Sequence, residues 1–244
     1  MLSSSERRVV DHGFFIAIAL LLTTHLNCFS QNERNVDELA PKSFISWVEV
    51  FAGPNVSFPK GPSFFNEVRA PKYGYAIGAT VFHAFSKRTS IGASFIWESK
   101  GTKSSLEVLW QSVSPPEIRR TENIFTLRYL TLAIVPAIAF GNKERISLEM
   151  GGYASYLENV EFEQTTYRSG NPDTYTYSTS KVDRKDYDFG IVASIKYSIP
   201  VRRNLGLNLK LMDAFGLTDI TNPNMSFLPV ENHTLSILIG LNLQ

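Results

Sequence analysis

The chain has 244 residues, 24 Lys and Arg against 23 Asp and Glu, and a formal net charge of +1. That balance offers no basic excess for nucleic acid and no acidic or basic bias for a charged substrate. Hydrophobic residues make up 43%, enough to exclude a disordered chain.

Arg7 and Arg8 precede an apolar run from Phe14 to Leu22, and Cys28-Phe29-Ser30 places small residues before Gln31. The order of basic, apolar and small segments predicts a secretory signal peptide over residues 1–30, cleaved after Ser30. The apolar run is too short for a transmembrane helix. A lipoprotein signal would make Cys28 the first mature residue, but His25, Leu26 and Asn27 lack the small residue needed just before it. The Arg pair serves as the positive n-region rather than as a twin-arginine signal. Cleavage removes two basic and two acidic residues, so the balance is unchanged, and the single cysteine leaves with it. The mature chain therefore has no disulfide and no thiol chemistry.

Residues 31–43 read as a short periplasmic N-terminal segment and 44–244 as the folded domain. Eight strand-like segments follow one another, over 44–53, 72–85, 90–102, 122–140, 145–161, 186–200, 204–217 and 232–243. In the last two an aliphatic residue recurs at every odd position, from Leu205 to Leu211 and from Leu235 to Leu241. This is the strand period of two.

Connections of four polar residues (86–89, 141–144 and 201–204) alternate with long ones (54–71, 103–121, 162–185 and 218–231). Short turns on one rim and long loops on the other is the plan of a membrane barrel. Period two alone does not say which face points inward, because a soluble lipocalin-like carrier would bury the same leucines. The opposite faces decide: Gly74, Ala76, Gly78 and Thr80, or Gly190, Val192 and Ser194, are too small and uncharged for a water-facing exterior. Aromatics gather at strand ends, with Tyr73, Tyr75, Tyr156, Tyr187, Phe189 and Phe215 toward the long loops and Phe85, Phe140 and Tyr197 toward the short turns, as two headgroup belts require. The expected fold is an all-β, eight-stranded antiparallel transmembrane up-and-down β-barrel in the bacterial outer membrane, its aliphatic faces on lipid.

That phase turns Lys196, Lys210, Glu149, Glu98 and Lys100 into the lumen. Arg128 and Glu49 are added with less clear phase, because a bulge would reset either strand. The expected lumen charge network is Glu98, Arg128, Glu149, Lys196 and Lys210. Opposite charges in so narrow an interior must pair, since an isolated buried ion costs several kcal/mol. The alternative is a narrow ion path through these charges.

Only His83 and His233 survive signal removal. His233 opens the last strand near Asp213, a rim His–Asp pair without a nucleophile, so no catalytic residue is assigned. Metal donors do not cluster and no phosphate-binding glycine loop is present, so no metal or cofactor is expected. In the third long connection, strand-like 161–168 and 174–182 flank a Ser169-Gly170-Asn171-Pro172-Asp173 turn. A hairpin over 159–185, carrying Tyr167, Tyr175 and Tyr177, would stand beyond the membrane and offer an open edge to a protein partner.

Tyr129-Leu130 with Ile134-Val135-Pro136, then Gly151-Gly152-Tyr153, then the closing Ile239-Gly240-Leu241-Asn242-Leu243 resemble the small outer-membrane β-barrel family abundant in Bacteroidetes, which includes PorT-like proteins. The likeness covers roughly 44–244 and departs from many such barrels in ending on Gln244 rather than an aromatic residue. The expected protein is a non-enzymatic barrel, monomeric in outer-membrane lipid, structural or adhesive through its surface loops. A second hypothesis, from another class, is an accessory subunit of an envelope secretion or assembly machine, which so general a likeness does not by itself imply.

Overall fold

A computed structural model describes residues 46–58, 69–110, 117–141, 145–168, 171–178, 185–220 and 231–243. The expected signal peptide, its cleavage site and the 31–43 segment lie outside them. The described residues form ten strands: β1 Trp47–Ser57, β2 Arg69–Ala70, β3 Lys72–Ala84, β4 Thr89–Trp110, β5 Glu117–Phe140, β6 Ile146–Arg168, β7 Asn171–Ser178, β8 Tyr187–Arg202, β9 Leu205–Gly216 and β10 His233–Leu243.

Eight of these close a barrel. Each pairs antiparallel with its sequence neighbour through β1, β3, β4, β5, β6, β8, β9 and β10. β10 then pairs with β1, from Val48 opposite Leu243 to Ser57 opposite Thr234. Closure satisfies every ladder internally, which a strand in hydrocarbon requires.

The aliphatic faces point outward. Leu132, Ile134, Ile138, Leu148, Ile191, Ile195, Leu209, Leu211, Ile237, Ile239 and Leu241 are all exposed, while Glu49, Thr80, Glu98, Glu149, Lys196 and Lys210 are buried. That inversion rules out the lipocalin-like alternative, whose apolar residues would line the interior. Exposed Tyr73, Tyr75, Tyr156, Tyr187 and Phe189 lie toward one rim and Phe85, Phe140 and Tyr197 toward the other, as two headgroup belts.

The lumen is narrow, and its aromatics need small partners. Phe51 sits between Gly78 on β3 and Gly240 on β10, and Tyr153 stands opposite Gly190. A Cβ added to Gly190 would come within 2.5 Å of the Tyr153 ring, so glycine there makes room for the aromatic rather than for a turn.

The end of β1, the end of β4 and the start of β5 differ from the sequence expectation. β1 runs through Pro54 to Ser57, four residues past the expected end, and its ladder to β10 skips Gly53 and Pro54, where proline has no N–H to give. β4 and β5 are 22 and 24 residues long and stay paired from Thr89 opposite Ile138 to Trp110 opposite Glu117. Most of the expected 103–121 loop is therefore ribbon. β6 continues to Arg168 and takes up β7 from Glu161 onward, in line with the strand-like 161–168 expected there, while its pairing with β8 ends at Tyr156. Together β4, β5, β6 and β7 form a sheet that rises beyond the barrel on the long-loop side, with the short β2 added to β4.

Candidate functional site

In the lumen four charged side chains from four strands form a ring. Lys196 Nζ lies 2.7 Å from Glu149 Oε1 and 2.9 Å from Glu49 Oε2. Lys210 Nζ lies 3.2 Å from Glu49 Oε1 and 3.2 Å from Glu149 Oε2. Each carboxylate bridges both ammonium groups, and none of the four side chains exceeds 6% exposure. The two lysines are direct cross-strand partners, an arrangement that repels when uncompensated. The two carboxylates hold them together. Ser194 donates to Glu149 Oε2 at 2.9 Å, and the lysines lie over the rings of Phe82 (4.4 Å) and Phe51 (5.0 Å), which also attract cations.

Above this ring comes an apolar layer of Phe51, Ile96, Val135, Val192, Met212 and Leu238 with smaller neighbours. A second polar layer follows, in which Lys100 Nζ meets Glu98 Oε1 at 2.8 Å and Thr131 Oγ1 donates to the same oxygen at 2.6 Å. Tyr153 and Asn232 donate to Asp188 Oδ2, and Thr218 to its Oδ1. Leu127, Tyr129, Leu157, Val160 and Ile220 close the top. Among the described residues the two polar layers are thus separated by a layer of packed hydrocarbon.

Of the residues expected in one network, Glu149, Lys196 and Lys210 meet, and Glu98 belongs to a separate cluster. Glu49, whose phase the sequence left open because both faces of β1 are apolar, completes the ring. Arg128 corrects the expectation. It points out of the lumen and holds Glu161 Oε1 at 2.7 Å on the half-exposed side of the wall. Its position coincides with a bulge: β6 places Leu157 opposite Tyr129 and Asn159 opposite Arg128, leaving Glu158 as the extra residue. The buried positions of β6 accordingly switch from odd (Ser155, Leu157) to even (Val160, Phe162), as one inserted residue must do. Glu158 uses its displaced carboxylate to accept from Trp97 Nε1 at 2.9 Å.

The rim pair exists, with His233 Nε2 2.7 Å from Asp213 Oδ1, but it sits on the outer wall with Phe215 and Phe58 rings beside the imidazole. Among the described residues no group of three or more His, Cys, Asp or Glu is placed to hold a metal.

On the surface sheet the β6–β7 register sets Tyr167 opposite Pro172, Gln164 opposite Tyr175 and Phe162 opposite Tyr177. The alternation of a strand puts position 167 on one face of the ribbon and positions 175 and 177 on the other. At the base of the β4–β5 extension Glu122 is held by Lys103 (3.1 Å) and Arg120 (2.7 Å). The hydrogen bond from Lys103, then the charges of Lys103 and Arg120, hold this carboxyl below its ordinary 4.5. A depressed carboxylate stabilises the fold above its unfolded value and loses that contribution as pH falls through the folded one. Amide exchange over 103–122, corrected for intrinsic rates, should therefore match at pH 7 and 5 and speed up at pH 3.

Residues 29–222 match the family described as outer membrane protein beta-barrel domain. The chain belongs to that family. A comparison with curated protein sequences finds no match. Among solved structures, this outer-membrane barrel is similar to the attachment invasion locus protein Ail of Yersinia pestis (11% identity, 81% of this chain and 98% of that one, TM-score 0.39). It is similar also to Neisserial surface protein A (9%, 80% and 96%, 0.39) and to OprG of Pseudomonas aeruginosa (8%, 82% and 97%, 0.39). The fold assignment for this outer-membrane barrel rests on its own closed register and the family match.

Proposed function

We propose that this outer-membrane protein is a non-enzymatic monomer whose working part is the sheet above the membrane, which makes a structural or adhesive contact with a protein partner. The signal peptide over 1–30 and cleavage after Ser30 belong to the same reading, since an outer-membrane barrel must be exported. One observation carries it: β7 pairs with β6 and, among the described residues, with nothing on its other side. An eight-residue edge standing in water can receive an extended strand from a partner, with main-chain hydrogen bonds giving affinity. The closed wall, by contrast, has no edge to share, which supports a monomer in lipid.

A second reading uses the same edge. In a PorT-like accessory subunit the strand received belongs to another envelope protein. The test compares cells carrying the natural chain with cells in which 171–178 is replaced by an equally long Gly-Ser stretch, after heat-modifiable migration verifies that both barrels fold. Loss of surface adherence supports the adhesive reading; loss of a stoichiometric cross-link to one envelope protein supports the subunit. Unchanged adherence and unchanged cross-links would remove the ribbon from function.

A further inference from the structure

At the short-turn end the lumen opens into a cavity of about 450 Å³, and in bacterial barrels that end faces the periplasm. Its wall carries Lys87, Arg88, Arg145, Lys196, Arg202 and Arg203. No aspartate or glutamate is among the described residues that line it. Lys196 forms the inner end and is already balanced by Glu49 and Glu149, so it separates the ion ring from the mouth. The other cations, Lys87 and Arg88 after β3, Arg145 before β6, and Arg202 closing β8 with Arg203 after it, are brought by the barrel around one opening.

The polar atoms inside this mouth point to a ligand as well. Among the described residues, Arg145 Nε, Trp47 Nε1 and Ser147 Oγ are buried without a hydrogen-bond partner; Ser147 is only 9% exposed. Two of these atoms donate only, and the hydroxyl can donate. Asn242 Oδ1 is an unpartnered acceptor on the same wall, and an amide can turn to present its NH₂ instead. A buried donor left unmatched is costly, so such atoms mark a place where an acceptor belongs.

We propose that this mouth is a binding site for a small soluble polyanion, with phosphoryl oxygens accepting from Arg145, Ser147 and Trp47 while Arg202 and Arg203 balance the remaining charge. A multiply charged group suits the site better than a single carboxylate, because several cations converge with no acid between them among the described residues. Guanidinium forks match phosphoryl oxygens in geometry. The cavity lies in the range of small-molecule sites, ~300–1,000 Å³, so it takes a phosphorylated small molecule rather than only a bare ion. Nothing about the surface sheet enters this assignment.

Inorganic pyrophosphate is the probe, titrated by calorimetry at low ionic strength into the full mature chain in a neutral detergent, with Trp fluorescence as a second signal. Saturable one-to-one binding is expected, weakening as salt rises. Arg145→Gln should weaken it about tenfold or more, the loss of one charge-assisted hydrogen bond. Arg203→Gln, on the exposed rim, gives a second variant with less bearing on folding and should weaken it several-fold. Lys103→Gln, on the surface sheet, should leave it unchanged. A lipid headgroup shares this chemistry, so phosphatidylglycerol nanodiscs form a separate arm. Retention of that lipid without pyrophosphate binding overturns the proposal in favour of a rim that grips inner-leaflet phosphates. So does the absence of saturation, or equal weakening by Lys103→Gln and Arg145→Gln.

Discussion

Replacing Lys210 with Met lowers the unfolding free energy by roughly 3 kcal/mol, at the low end of what breaking a buried ion pair costs. Lys210 sits 3.2 Å from both Glu49 and Glu149, so its removal leaves two carboxylates sharing the single ammonium of Lys196. The side chain is 4% exposed, and water cannot supply the missing charge. The companion variant makes the attribution clean. Lys210→Met with Glu49→Gln restores neutrality to the ring, and should recover a large part of the loss although it removes a second native contact. Urea unfolding in lipid vesicles, followed by tryptophan emission, measures both. A single variant as stable as the natural chain would mean that Lys210 is not paired inside; a double variant worse than the single would mean that volume, not charge, sets the cost.

The second large effect tests the wall from the other side. Ile239 is 60% exposed and lies between Ile237 and Leu241 on the outward face of β10. Ile239→Lys should cost about 2–4 kcal/mol in a lipid bilayer, the penalty of a cation at mid-depth on the lipid face of a barrel. The hydrophobic control Ile239→Leu should change stability by less than about 1.5 kcal/mol. On a water-facing wall the order would reverse: the lysine would be tolerated, and an exposed isoleucine would have no reason to persist. Equal stabilities for the lysine and leucine variants in vesicles would remove lipid from that face.

Much of the barrel could be read from its sequence because lipid imposes a demand that few other environments do. Ile237, Ile239 and Leu241 recur at every second residue with Ser236, Leu238 and Gly240 between them, and that pattern needs no neighbour to interpret it. The upper parts of β4 and β5 escaped notice for the complementary reason. Beyond the membrane, Ser104, Ser105, Glu107 and Arg120 face water on a ribbon that owes nothing to lipid, so the only signal left is cross-strand pairing, which requires the register. The phase of Arg128 lay in its own strand: β5 keeps one alternation, with Leu127, Tyr129, Ala133 and Val135 buried and Leu132 and Ile134 exposed, so Arg128 shares the outward face. The bulge at Glu158 re-aims only what lies above it on β6, and a period-two count has no means of seeing that insertion. The ion ring was half legible: the inward lysines followed from their aliphatic neighbours. Their meeting with Glu49 depends on closure between residues 147 positions apart.

That separation has a consequence for assembly. Glu149, Lys196 and Lys210 all reside on the three consecutive strands β6, β8 and β9, and by themselves carry one uncancelled positive charge. The balancing negative charge arrives only with β1, the first barrel strand made and the last to find its lateral partner when β10 meets it. A sheet that has curled but not joined therefore holds one ammonium without its carboxylate, a charge that becomes costly once the interior is shut off from water. Sealing the seam and balancing the ring become a single event. The lumen charges that stabilise the finished molecule thereby tie its stability to a correctly closed seam.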